Sequence, residues 1–192
     1  MPLDLAVLGN DPRFGGGGAA QTDAFLAAAR DLGREPELLY APHPRLAGRS
    51  LALDRVEAIR QLRAARRFAP ELRDARSAWV VATMATAGGA APQAGRAYRA
   101  WIGTSVDDEW RGRRTGLGPA HRAAFGLSLP LLRRLERRVL RAADCVYATS
   151  RGSRLALEAA GAQDARVLRI PVDTDRFTPE ADEQWQAGLA AP

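Results

Sequence analysis

Apolar positions along this chain come in two arrangements. The stretches "LDLAVLG" (3–9), "EPELLYA" (35–41), "SAWVVATMA" (77–85), "RAWIGTSV" (99–106), "CVYATS" (145–150) and "ARVLRIPV" (165–172) are short apolar runs closed by glycine or polar residues. Such runs fit strands buried on both faces of a parallel sheet. Between them, apolar residues recur at helical spacing: Phe25, Leu26, Ala29 and Leu32 ahead of Gly33, then Val56, Ile59 and Leu62. The stretch "LPLLRRLERRVLRAAD" repeats the pattern with Leu132, Leu135, Val139 and Ala142, and a last helix is expected over 153–160. Strands alternating with helices predict an α/β fold built on a parallel sheet. Three stretches fit neither period. "PHPRLAGRS" (42–50) reads as loop, "GGAAPQAG" (88–95) as a break or a poorly formed helix, and "DDEWRGRRTGLGP" (107–119) as an exposed loop at a strand end. Strand ends are where functional residues of α/β proteins gather.

Composition narrows the class. With 192 residues and 46% hydrophobic content, the chain suits one globular domain with a substantial core. No apolar run approaches the roughly 20 residues that span a bilayer. The N-terminus "MPLDLAVLGN" lacks the basic start and long apolar core of a signal peptide, so none is expected. Cys145 is the only cysteine, which leaves no internal disulfide and makes a reducing cytoplasm the simplest setting. One cysteine and two histidines exclude a His/Cys zinc site, and no metal is expected.

Charge adds a second signal. The net charge is +6, and all 28 basic residues are arginines. The planar guanidinium fork suits phosphate and carboxylate partners. This balance fits nucleic acid, an anionic membrane, an anionic substrate, or a plain bias toward arginine and alanine. Arg133, Arg134, Arg137, Arg138 and Arg141 share one arc of their helix, either as a docking surface for an anionic membrane or acceptor or as a solvated face. No helix-turn-helix, zinc-finger or RNA-binding signature accompanies them, so nucleic acid is not the expected partner.

Four glycines, Gly15 to Gly18, stand directly before the first helix. No G-x-G-x-x-G spacing fits them together with Gly9, and a chain without lysine has no P-loop. Glycines let backbone approach a ligand closely, and the helix start offers free N–H groups with a positive dipole end. The residues alone allow a phosphate cradle and a bare turn equally.

The C-terminal part carries a resemblance. Residues 132–179 contain Glu136 in a helix, Ala143 and Asp144 before a strand ending at Ser150, and a strand leading to Pro171, Asp173, Phe177 and Pro179. This order, with the glycine-rich loop after the first strand, resembles the N-terminal domain of retaining family 4 (group 1) glycosyltransferases of the GT-B fold. The resemblance implies a Rossmann-like three-layer domain with a mostly parallel sheet over residues 1–179. It makes 180–192 the start of a linker to a donor-binding domain absent from this chain. It implies sugar transfer from a nucleotide-diphosphate sugar, a substrate rather than a cofactor, to an acceptor hydroxyl. Gly15, Gly16, Gly17 and Gly18 become the donor-diphosphate loop, and location becomes cytoplasmic with peripheral contact at the inner membrane face. Two departures stand out. "GTSVDDEW" has Val106 where many members carry a histidine near the sugar, and "IPVDTDRF" lacks the usual Asn-Gly. The polar role at that strand end passes to Asp107 as the candidate catalytic residue. Asp108, Glu109, Arg111 and Ser150 are the acceptor-side candidates. The rival reading is a non-catalytic basic module for nucleic acid or a partner protein.

Bland roles are expected for several other residues. Asp107, Asp108 and Glu109 also fit a solvated acidic turn, since neighbouring acids on a loop set no carboxylate separation of hydrolase type. His43 and His121 fit surface positions, and Ser150 lacks a nucleophile-elbow context. Trp101 and Trp110 are expected to pack. Glu136 falls within the apolar arc of its helix and must find donors, either backbone N–H groups or an arginine.

Overall fold

The computed structural model describes residues 3–14, 16–41, 57–116 and 118–170. Six strands, β1 (Leu5–Gly9), β2 (Pro36–Tyr40), β3 (Ser77–Ala82), β4 (Arg99–Ile102), β5 (Cys145–Ala148) and β6 (Ala165–Val167), form one sheet in the order β2-β1-β3-β4-β5-β6. Every pairing is parallel, with Val7 opposite Leu38 on one side and Trp79 on the other. The helices are α1 (Gly17–Asp31), α2 (Glu57–Asp74), α3 (Ala91–Ala94), α4 (Val106–Arg113), α5 (Pro119–Ala142) and α6 (Arg151–Ala160). This is a Rossmann-like open sheet.

Alternate strand residues feed two cores, as a pleat demands. Ala6, Leu8, Val80, Ile102, Val146 and Ala148 meet Phe68 and Leu72 of α2, Val139 and Leu140 of α5, and Leu157 of α6. Leu5, Val7, Val81 and Trp101 meet Leu26 and Ala29 of α1 on the other face. A strand buried on both faces has no polar side to alternate with, which is why the runs read as continuously apolar.

Two expectations need correction. Residues 107–113 are helix, not exposed loop: Ser105 caps α4, three acids fill its first turn, and Arg111 and Arg113 lie in its last. Those are helix start and stop chemistries, and they override the glycine and the overall polarity of the stretch. Helix α5 begins at Pro119, about ten residues earlier than the heptad-like run. Gly118 and Pro119 make a standard start, so Pro130, which looks like a first-turn proline, sits inside the helix. Its missing N–H is offset by burial of Leu129 and Leu132 against Ala58 and Val106. The remaining strands are shorter than the apolar runs. Gly15, His43, the loop at 42–50 and the junction residues Pro171, Asp173, Phe177 and Pro179 lie outside the described residues.

Candidate functional site

In an open parallel sheet, ligands bind beyond the C-terminal strand ends where the connections diverge. Here β1 leads outward to β2 while β3 leads the other way to β4, so the divergence lies between β1 and β3. Asn10 follows β1 and Thr83 follows β3. The Asn10 amide donates to the Thr83 hydroxyl at 3.0 Å, closing the two strand ends together.

Three glycines stand at the start of α1 beside this pair, each in a different environment. Gly16 precedes α1 with φ of 81°, a conformation that disfavours side chains. Gly17 faces open space, with no heavy atom within 4 Å of where a Cβ would stand. At Gly18 a Cβ would lie 2.1 Å from the Thr83 hydroxyl oxygen and 2.2 Å from the Asn10 amide nitrogen. Only a residue without Cβ lets α1 start this close to the strand ends. The terminus of α1 has no side-chain cap and no acid in its first turn.

Two buried polar residues pin the helix in place. Gln21 donates its amide to the Trp101 carbonyl at 2.9 Å. The Thr22 hydroxyl lies 2.9 Å from the Gly18 carbonyl and 3.2 Å from that of Val81. Their only trace in the sequence is a pair of adjacent polar residues in an otherwise alanine-rich helix. On the strand side of the loop, the Asp11 carboxylate accepts from the Arg13 backbone N–H and from two guanidinium nitrogens at 3.0 and 2.9 Å. The Arg13 guanidinium also lies over the Tyr40 ring, 5.7 Å from its centroid. Asp11 is buried while the Arg13 side chain is about half exposed, so a cation is held at the mouth of the loop.

The acidic turn lies further along the same edge. After β4, the Thr104 N–H donates to the Thr83 carbonyl at 2.8 Å, and Ser105 then caps α4 by accepting from the Asp108 N–H at 3.1 Å. All three acids are engaged by arginines: Asp107 by Arg133, Asp108 by Arg111 at 2.6 Å, and Glu109 by Arg113. Asp107 and Arg133 are each about half exposed. Val106 is fully buried, and its N–H donates to Glu136 at 2.8 Å. Glu136 therefore finds a backbone donor as anticipated. Burial pushes its carboxyl up to about 7, against the opposing pull of the Val106 N–H. The neighbouring Asp107 and Asp108 raise it further.

Ser150 is reached through β5. It caps α6 by accepting from the Ser153 N–H at 3.0 Å, and its hydroxyl donates to that of Ser153. The preceding Thr149 donates to the Gly103 carbonyl at 3.1 Å. Trp101 is buried and donates its indole N–H to the Leu168 carbonyl, while Trp110 stacks on Phe125 with ring centroids 5.2 Å apart. Both tryptophans pack. Among the described residues, no group of three or more His, Cys, Asp and Glu side chains converges as metal ligands would.

Gly16 to Gly18, Thr83, the α4 turn and Ser150 thus line one edge of the sheet. The α1 terminus offers an anion unsatisfied N–H groups and a positive dipole end, while α4 has already filled its own with carboxylates. A family model for the glycosyl transferase 4-like domain matches residues 16–173, and the chain belongs to this family. No curated protein matches it.

Proposed function

We propose, from the premise of a glycosyl transferase 4-like domain, that residues 1–179 form the acceptor-side half of a retaining GT-B enzyme of family 4, group 1. It would move a sugar from a nucleotide-diphosphate donor to an acceptor hydroxyl. The observation that carries this reading is the uncapped α1 terminus at the divergence of the sheet, with no acid in its first turn and with Asn10 and Thr83 closing against Gly18. Negative charge grows on the diphosphate as the glycosyl bond breaks. Donors fixed in advance at that point lower the barrier without reorganising. The N–H groups of Gly16 to Gly18 supply such donors, and Arg13, held by Asp11, adds a positioned cation. The reading needs no cofactor and no dedicated metal, because backbone dipoles and arginine provide the positive charge.

Asp107 and its neighbours Asp108, Glu109 and Arg111, with Ser150, would face the acceptor. Asp107 is the most exposed carboxylate among them, and an acceptor hydroxyl could reach it by displacing Arg133. The nucleotide itself would be held mainly by a second domain across the cleft. A half-cleft open to water screens every charge interaction, so residues 1–192 should bind donor nucleotides only at millimolar strength and transfer no sugar.

Amide NMR titration of the chain with uridine and guanosine diphosphates tests this. Shifts at Gly17 and Gly18 with a millimolar Kd are expected. Gly17→Asp, placed in open space, should remove them while leaving the remaining spectrum intact. Shifts elsewhere only, or an unaltered response in the variant, would return the glycines to the role of a turn. Micromolar binding or turnover by this chain would sink the half-site reading.

A further inference from the structure

We propose that the outer face of α5 docks on an anionic lipid bilayer. Advancing at about 100° per residue, Leu127, Leu131, Arg134, Arg138 and Arg141 fall at i+4, i+3, i+4 and i+3 spacing on one stripe, with Arg137 at its margin. The buried positions Leu132, Glu136 and Val139 lie on the far side of the helix with Leu135 between, so the stripe faces outward, with Arg137 and Arg141 leaning toward Gly161 at the end of α6. Arg134, Arg137, Arg138 and Arg141 are all exposed. No ion pair engages them among the described residues, whereas Arg133, turned toward α4, is taken up by Asp107. The five-arginine arc of the sequence is therefore four arginines and two leucines.

A solvated helix face mixes both signs of charge. Glu136 is the only acid in α5, and it is buried on the far side. Leu127 is 85% exposed and Leu131 40%, and Leu155 on the adjacent α6 is 60% exposed. Unpaired arginines with protruding leucines match a surface that is anionic at its headgroups and apolar just beneath them. Nucleic acid would satisfy the arginines but offers phosphates where the leucines stand. The leucine end of the stripe lies beside α4, since Phe125 stacks on Trp110 and Arg133 reaches Asp107. Docking this way would bring the edge that carries the glycine loop near the membrane. Among the described residues no helix is long and apolar enough to cross a membrane, so the contact is peripheral.

Co-sedimentation with vesicles of phosphatidylcholine alone, and of phosphatidylcholine mixed with phosphatidylglycerol, tests the proposal. Binding to the mixed vesicles only, weakening as salt rises, is expected. Each arginine near an anionic surface should be worth about a fivefold change in partition. Arg134→Glu with Arg138→Glu should therefore reduce it well over tenfold. Leu127→Ser with Leu131→Ser, two exposed sites that leave the core untouched, should weaken binding about tenfold without changing its salt slope. Thermal melts of both variants verify folding. Equal binding to both vesicle types, no binding to either, or unaltered binding by the folded variants would overturn the proposal. So would displacement from mixed vesicles by duplex DNA at equal phosphate concentration.

Discussion

Helices α1 and α4 both start at the C-terminal edge of the sheet, yet their first turns are built oppositely. Helix α4 is closed. Ser105 caps it, Asp107, Asp108 and Glu109 fill its first turn, and the Val106 N–H is taken by Glu136 from another helix. Helix α1 has no side-chain cap and no first-turn acid, and of its leading glycines Gly18 is held against Asn10 and Thr83 while Gly17 faces open space. The dipole of α4 is spent within the protein, and that of α1 remains for a ligand. Acidity in sequence therefore marked the terminus least able to receive an anion. The acids there neutralise arginines and stabilise a helix first.

The comparison breaks most visibly at Gly18. Valine there must displace both Thr83 and Asn10 and would cost about 2–4 kcal/mol from overpacking and a lost hydrogen bond. Urea denaturation measures this, and unchanged stability would mean that packing does not fix the start of α1. The closed terminus has its own pressure point in Glu136. Its folded carboxyl is raised from 4.5 to about 7, so the native state holds a proton that the unfolded chain has released. Stability from this site is fully present below the unfolded pKa and falls as pH rises through about 7. Glu136→Gln keeps an acceptor for the Val106 N–H and removes the titration. It should leave stability near pH 4 unaltered and raise it near pH 8 by at most about 3 kcal/mol. A variant whose pH profile parallels the parent's would show that Glu136 does not titrate in this range. The smallest effect is expected at Asp107. Its pair with Arg133 is exposed on both sides, so Asp107→Asn should cost about 0.5 kcal/mol. A loss of several kcal/mol would make that turn a tight charge network instead of a solvated one.

Much of this was legible one element at a time. Each strand was found from its apolar run, and Gly33 ended α1 as expected. The misjudged segments were those where weak local signals compete. The stretch 107–113 has a glycine and many charges, which read as loop, yet the Ser105 cap and the first-turn acids make it a helix. Pro130 looks like a helix start because position alone does not reveal the packing of Leu129 and Leu132 that carries α5 through it.

By itself the sequence determined the alternation of strands and helices, the parallel sheet, the glycine run ahead of α1, and the accumulation of arginine on α5. These rest on periodicity and backbone freedom, which act over a few residues. Tertiary structure alone decided which features share a site. The Asn10–Thr83 bond joins residues 73 apart, and the Val106–Glu136 bond joins residues 30 apart. Tertiary structure also decided that Arg133 turns to Asp107 while its neighbours stay free among the described residues, and that Gly17 alone of its neighbours combines open space with ordinary backbone. Such outcomes depend on where the sheet brings distant side chains, and no local pattern encodes that distance.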